Sequence, residues 1–240
     1  MTVATEDTTF LLFDIDGTLV SGATEAHRLA LHGALKSVHG VDAERVRGPL
    51  SPAGRTDGEI ARVILLEAGV SAERIDHRAD RVRQECCRIY AELATADLSH
   101  TVLPGIPALL AELTAREDLI LGLVTGNFEP VARLKLARTG IGSWFAGCPG
   151  GFGSDSEDRT ALPAIARRRA GSRGRPHPRA QTIVIGDTPR DIACARADEL
   201  RCVAVATGPH PAQELQAADW VAQDPANLRQ ILTQAVIGGA

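Results

Sequence analysis

Four carboxylates stand where short apolar runs stop. In "FLLFDIDGTLVSG" (Phe10–Gly22) the run Phe10–Phe13 reads as a buried strand, followed by Asp14 and Asp16 with Ile15 between them. Residues two apart on a strand point the same way, so two acids crowd one point beside a Gly-Thr turn. "LILGLVTGN" ends on Thr125, Gly126 and Asn127, and "TIVIGDTPRD" on Asp187, with Asp191 one helical turn later. A lone Asp-X-Asp-Gly is more often a turn than a site, and a lone Thr-Gly-Asn simply ends a strand and starts a helix. Their order and their shared place after apolar runs give them weight. If the three strand ends meet, four like charges share one small space, an arrangement that needs a cation. Oxygen donors without His or Cys select a hard ion such as Mg²⁺.

The elements that would bring these ends together are legible as continuous apolar runs. Leu119–Asn127, Thr182–Thr188, Cys202–Gly208 and the weaker Ala218–Ala222 resemble the first run. They suit strands buried on both faces of a parallel sheet. Helical patterns at Ile106–Arg116, Pro130–Thr139, Leu162–Arg169, Pro189–Ala197 and Ala226–Val236 separate them. The alternation predicts a Rossmann-like α/β parallel sheet with right-handed crossovers. In such sheets ligands bind beyond the carboxyl ends of the strands.

Residues 21–99 break this rhythm. They contain no strand candidate and offer three helical stripes: Ala30, Leu31, Ala34, Leu35 and Val38; Ile60, Val63 and Ile64; and Ala79, Val82, Cys86, Ile89, Tyr90 and Leu93. The turn signals "HGVD", "GPLSPAG" and "GVS" separate them. The expected organisation is an α/β core of residues 1–20 and 100–240 carrying an inserted all-helical cap of residues 21–99. Its connections, Val20–Thr24 and Asp97–Pro104, would let it move as a lid.

Composition narrows the classes. The 240 residues carry a net charge of -4, so no global basic field points to nucleic acid. "RRRAGSRGRPHPRA" (Arg167–Ala180) is short and has no aromatics, and reads as a solvated helix end and loop. No apolar stretch approaches the ~20 residues needed to span a bilayer, and "MTVATEDTT" lacks the pattern of a secretory signal. The five cysteines, odd in number and without metal spacing, read as reduced thiols of a cytoplasmic protein. Monomer and homodimer are both open.

"DIDGT", "TGN" and "GDTPRD", each after a strand and in this order, resemble motifs I, II and IV of the haloacid dehalogenase superfamily. The helical segment resembles that superfamily's cap of the first type. "AGRTDGEI" (Ala53–Ile60) and "GSDSEDR" (Gly153–Arg159) resemble its phosphoglycolate-phosphatase-like branch. The resemblance implies a nucleophile at Asp14 and a general acid and base at Asp16, the latter protonated at the outset. It implies phosphoryl binding by Thr125, Gly126 and Asn127, and Mg²⁺ held by Asp14, the Asp16 backbone carbonyl, Asp187 and Asp191. The family expects a cation, usually Lys, ahead of motif IV; "SEDRTALP" offers Arg159 there. Lys135 competes for the role but reads as an exposed helical lysine. Arg55 fits a contact to an anionic substrate as well as it fits a helix start capped by Thr56, and His27 reads as packed or hinge-side.

The implied activity is a Mg²⁺-dependent phosphatase for a small phosphorylated metabolite, working through an aspartyl-phosphate. The alternatives are a phosphomutase of the same superfamily and a catalytically silent binding protein on this fold. A dehalogenase is disfavoured because it has no need of Asp16.

Overall fold

A computed structural model describes residues 8–46 and 51–237 of the chain. The polar N-terminal stretch 1–7 and residues 48–50 of the "GPLSPAG" turn signal lie outside the described residues. Six parallel strands form one sheet in the order β3-β2-β1-β4-β5-β6. They are β1 (Thr9–Phe13), β2 (Leu119–Thr125), β3 (Gly150–Phe152), β4 (Thr182–Gly186), β5 (Arg201–Val205) and β6 (Trp220–Ala222). The chain builds outward from β1 to β2 and β3, then crosses to β4 on the other side of β1. The strand order therefore reverses between β1 and β4, which is where an open parallel sheet leaves a crevice for a ligand.

Period-2 alternation divides β1 between two cores. Leu11 and Phe13 join the apolar cluster under α4 (Ile106–Thr114) and α8 (Pro225–Ile237). Phe10 and Leu12 join the cluster under α6 (Leu162–Ala170) and α7 (Pro189–Ala197). The remaining core helix, α5 (Glu129–Arg138), follows β2 directly. Strand β3 is an addition to the expected set. Its Gly-Gly-Phe sequence is too short and too poor in side chains to read as an apolar run. Gly151 is needed there, since a Cβ would overlap the Leu162 carbonyl of α6.

Between β1 and β2 the chain forms α1 (Glu25–His39), α2 (Asp57–Glu67) and α3 (Ala72–Leu93). Thr56 caps α2, its hydroxyl accepting from the Glu59 amide at 3.1 Å. The three helices share an apolar cluster that also takes in Phe128 and Val131 at the start of α5. The α1 face is buried as expected. On α2 the packed side is Ala61, Ile64 and Leu65, with Val63 only half-buried. On α3, Ile75, Val82, Cys86 and Tyr90 are buried, whereas Ala79 is exposed and Leu93, at the overhanging end, is 46% exposed. The two connections to the sheet pair with each other: Val20 bridges Val102 antiparallel, Ser21 N donates to Thr101 O at 2.8 Å, and Leu103 N to Leu19 O at 3.1 Å.

The basic stretch Arg167–Ala180 is largely exposed, as expected, with two exceptions, Arg167 in the last turn of α6 and His177. Arg167 is buried against Asp198, with Nε–Oδ2 at 2.7 Å, and donates to the His177 carbonyl; His177 is buried edge-on to Phe10. All five cysteines are free thiols. Among the described residues no helix is long and apolar enough to cross a membrane.

Candidate active site

Strand β1 ends at the crevice and delivers Asp14, which is buried and whose N–H donates to Ile185 O of β4 at 2.9 Å. The chain then turns tightly, with Leu19 N and Val20 N both donating to Ile15 O at 2.9 and 3.0 Å. Gly17 makes this turn at φ 89°, a conformation that glycine adopts without steric cost. It also leaves room for Asp187, whose carboxylate a Cβ at Gly17 or at Gly208 would overlap. Asp187 extends from the end of β4 and accepts from the Thr18 hydroxyl at 3.2 Å, while its second oxygen is buried without a partner.

Asp191 starts α7 in a reciprocal cap. Its Oδ2 accepts from Thr188 N at 3.0 Å and from the Thr188 hydroxyl at 2.8 Å, and Asp191 N returns to that hydroxyl. Its Oδ1 accepts from Arg159. The Arg159 guanidinium is buried between Asp191 and Asp14, 3.2 Å from Asp14 Oδ1. Asp14, Asp187 and Asp191 present carboxylate oxygens within 4.8 Å of one another.

Lys135 corrects the sequence reading. It is not an exposed helical lysine but is fully buried. Its ammonium donates to both Asp16 oxygens at 2.7 and 2.6 Å, and to Asn127 Oδ1 at 2.9 Å. The reason is geometric. Helix α5 starts two residues past Asn127, and Val131 and Lys135, one turn apart on it, are both buried, Lys135 reaching back to the Asn127 turn. Asn127 Nδ2 donates to Asp16 Oδ2 and to the Thr125 hydroxyl, each at 2.9 Å. Thr125 is fully buried behind Asn127, whereas Gly126 and Asn127 line the cleft. The structure thus brings Asp14, Asp16, Asn127, Arg159, Asp187 and Asp191 together and sets Thr125 one layer back.

Without a cation in the crevice, the two opening acids have their proton affinities pushed apart. Burial raises Asp14 to about 6, and the Asp191 and Asp16 charges add to this against the lowering pull of Arg159. Burial also works to raise Asp16, but the Lys135 charge and hydrogen bonds, helped by His27 and Asn127, outweigh it and leave Asp16 below its ordinary value. Lys135 thus favours the carboxylate form of Asp16. Asp187 is pushed up to about 9 by burial and by the Asp14 and Asp191 charges.

These residues fit a divalent cation. Once ionised, the four carboxylates of Asp14, Asp16, Asp187 and Asp191 carry two negative charges more than Arg159 and Lys135 balance. The buried Asp187 carboxylate, one oxygen of which has no partner, belongs to the same cluster, and the donors are all oxygen. Asp14 and Asp187 have oxygens to give, whereas both Asp191 oxygens are engaged by Arg159 and Thr188.

The helical insert closes the other side of an open cleft of about 780 Å³. Its wall includes Arg55, His27, Leu31, Ile60 and Ile64. Arg55 reaches the cleft while paired with Glu59. Its placement thus joins both sequence readings: Arg55 faces the site and Thr56 caps α2. His27 is buried, 2.9 Å from Asp57 Oδ2 and edge-on to Tyr90. Asp57, Glu157 and Thr18 were not singled out from the sequence, although "AGRTDGEI" and "GSDSEDR" contain the first two.

The family model described as haloacid dehalogenase-like hydrolase matches residues 11–196. A phosphoglycolate phosphatase of Synechococcus elongatus is 29% identical over 93% of this chain and 97% of its own. One from Rhodospirillum rubrum is 30% identical over 82% of this chain and 79% of its own. Among solved structures, a hydrolase from Pseudomonas syringae superposes with a TM-score of 0.64 at 25% identity, covering 95% of this chain and 98% of that one. With its acid cluster at the crevice of a parallel sheet and a helical cap above it, the chain belongs to the haloacid dehalogenase-like hydrolases, in their phosphoglycolate-phosphatase-like branch.

Proposed function

We propose that the protein is a cytoplasmic, Mg²⁺-dependent phosphatase that transfers the phosphoryl group of a small phosphorylated metabolite to Asp14 and then to water. The observation that carries this reading is the separate pairing of the two opening acids: Asp14 with Arg159, Asp16 with Lys135. Each acid has its own cation, which suits two roles rather than one shared proton.

An Asp14 oxygen attacks phosphorus, and the bond to the leaving alcohol breaks as Asp16 delivers a proton to it. Asp16 then takes a proton from the water that cleaves the acyl-phosphate. Its carboxylate, held by Lys135 and Asn127, is ready for that second task. In the first task it must acquire a proton, which a phosphomonoester bound as its monoanion carries in. Arg159 and the Asn127 region hold the phosphoryl oxygens, the guanidinium offering a planar fork of donors. Mg²⁺, held by Asp14, Asp187 and the Asp16 carbonyl with Asp191 behind them, would neutralise charge on the transferring group.

Two relatives carry the name phosphoglycolate phosphatase. A short substrate with a second anion matches Arg55 on the cap wall. Phosphomutase activity calls for a grip on a second phosphate, and Lys36, the lysine of the insert, is exposed and away from the cleft wall.

The test is release of phosphate from phosphoglycolate and from a chromogenic phosphomonoester, with and without Mg²⁺, joined to rapid quenching and mass spectrometry. Asp14→Asn is expected to abolish turnover and carry no covalent phosphate. Asp16→Asn is expected to accumulate phosphate on the Asp14 peptide when the leaving group is good, and then stall. Turnover by Asp16→Asn near the wild-type rate, or phosphate on Asp14→Asn, would overturn the mechanism.

A further inference from the structure

We infer that Asp57, in the first turn of α2, is a positioning residue: seated on the core, it fixes the loop that carries the Asn127 amide. The inference rests on the phosphatase reading above for its kinetic consequence, but its geometry is independent of substrate. Asn127 is flanked by the Gly126 carbonyl and the Phe128 amide, and Asp57 holds both. Its backbone N–H donates to Gly126 O at 2.8 Å, and its Oδ2 accepts from Phe128 N at 2.7 Å. Asp57 is itself buried, at 3% exposure, and the same Oδ2 lies 2.9 Å from His27 Nε2.

The pairing suits the physics of a helix start. Phe128 is the N-cap of α5 and has no side-chain oxygen to satisfy the first amides, so a carboxylate from the cap supplies what the local sequence lacks. A cap that lifted away would leave a buried carbonyl and a buried amide to find water instead. The consequence passes inward through Asn127, whose amide donates to Asp16 and accepts from Lys135. Misplacing the loop therefore misplaces both a phosphoryl donor and a partner of the general base.

The start of α2, with Arg62 from its second turn, also reaches the loop that carries Arg159. The Thr56 hydroxyl donates to Glu157 O at 2.6 Å, and Arg62 pairs with the Glu157 carboxylate, with Nη2–Oε1 at 3.0 Å. The close approach is built in. Gly126 lies where a Cβ would overlap the Arg55 carbonyl, and Gly58 where one would press on the Glu157 side chain. Two phosphate-facing loops are thus docked by one turn of the cap, so seating the cap and assembling the site become one event.

The test compares wild type, Asp57→Ala and Asp57→Asn by steady-state kinetics on a chromogenic phosphomonoester and by amide hydrogen exchange, with and without inorganic phosphate in Mg²⁺. Asp57→Ala is expected to lower kcat on the order of ten- to a hundred-fold, the loss of a charge-assisted hydrogen bond at a positioned loop. Asp57→Asn, which keeps an acceptor for Phe128, is expected to recover part of that. The Phe128 amide is expected to exchange faster in Asp57→Ala while the central strands stay protected. Phosphate is expected to protect the first turn of α2 in wild type and not in Asp57→Ala. The inference is overturned if kcat stays within twofold of wild type, or if Phe128 protection is unchanged. It is overturned too if α2 responds to phosphate equally in both. Should Asp57→Ala fail to fold, Phe128 exchange and kcat in Asp57→Val, which fills more of the buried space and offers no acceptor, decide in the same way, with unchanged protection and kcat overturning the inference. A wild-type protein that hydrolyses no phosphomonoester would sink the phosphatase reading, while Phe128 exchange would still decide the clamp.

Discussion

A lysine with no exposed surface, donating twice to one carboxylate, has an effect out of proportion to its size. Lys135 turns Asp16 from a buried acid that would hold its proton into one that gives it up. Burial alone would move Asp14 and Asp16 the same way, and the lysine separates them. Lys135→Met keeps much of the side-chain volume and removes the charge. It is expected to raise the pKa of Asp16, so the low-pH limb of the kcat profile moves to higher pH and turnover at neutral pH falls roughly tenfold or more. A pH–rate profile checks this, and an unmoved limb would separate Lys135 from the base. The residue was hard to read beforehand because a lysine on a helix is usually solvated. The signal lay in its stripe, since Lys135 stands one helical turn after the buried Val131 and beside the buried Ala132 and Leu136.

At the scale of elements, the site is a seam between the sheet's crevice and the start of α2, and glycines set its width. Gly126→Ala would drive a Cβ into the Arg55 carbonyl. Gly126 sits just past the end of β2, and the clash falls on Arg55 and Thr56 of the insert rather than on the sheet, so the variant is expected to fold, with the cap displaced outward and kcat/KM reduced on the order of a hundred-fold. Circular dichroism and kinetics check the two halves of that statement. Hydrogen exchange adds a third, with the Gly126–Phe128 loop and the first turn of α2 losing protection together. The strands and core helices were legible because parallel strands buried on both faces write themselves as continuous apolar runs. Strand β3 was not, because Gly150 and Gly151 contribute backbone and almost no side chain. The three cap helices were legible from their stripes. Their docking onto the core was not, because beyond the apolar contact with Phe128 and Val131 it runs through backbone groups and single polar residues such as Asp57 and Glu157, which leave no periodic trace. The acid cluster was legible from the ends of the strands. Its balance of cations was not, because Arg159 and Lys135 come from separate helical segments and meet only in the folded chain.

For the whole molecule, the crevice stores an electrostatic debt that should be visible in stability. Without a cation, Asp14 is raised to about 6 and Asp187 to about 9, against ordinary values near 3.8 in the unfolded chain. Between about pH 4 and pH 9 the folded protein therefore holds protons that the unfolded chain has released. Stability carried by a raised carboxylate is complete below the unfolded pKa and is lost as pH rises through the folded one. Asp16, lowered instead, acts in the opposite sense and only toward acid pH, where its contribution is lost as it protonates. Chelated protein is thus expected to lose thermal stability from about pH 5 to about pH 8, by on the order of 5 °C if about 2 kcal/mol is at stake. Mg²⁺ held as proposed would reverse the logic, because it would bind the ionised acids and displace their protons. The rise in melting temperature on adding Mg²⁺ is expected to be larger at the higher pH. Ca²⁺ carries the same charge and is expected to raise the melting temperature too. It is not expected to support turnover, since it takes more ligands at longer distances than the attacking Asp14 geometry tolerates. Thermal melts in chelator, Mg²⁺ and Ca²⁺ across this range, read beside activity, check both statements. A Mg²⁺ shift as large at about pH 5 as at about pH 8 would mean that the cation does not bind at Asp14 and Asp187, and the electrostatic account of the site would fail there.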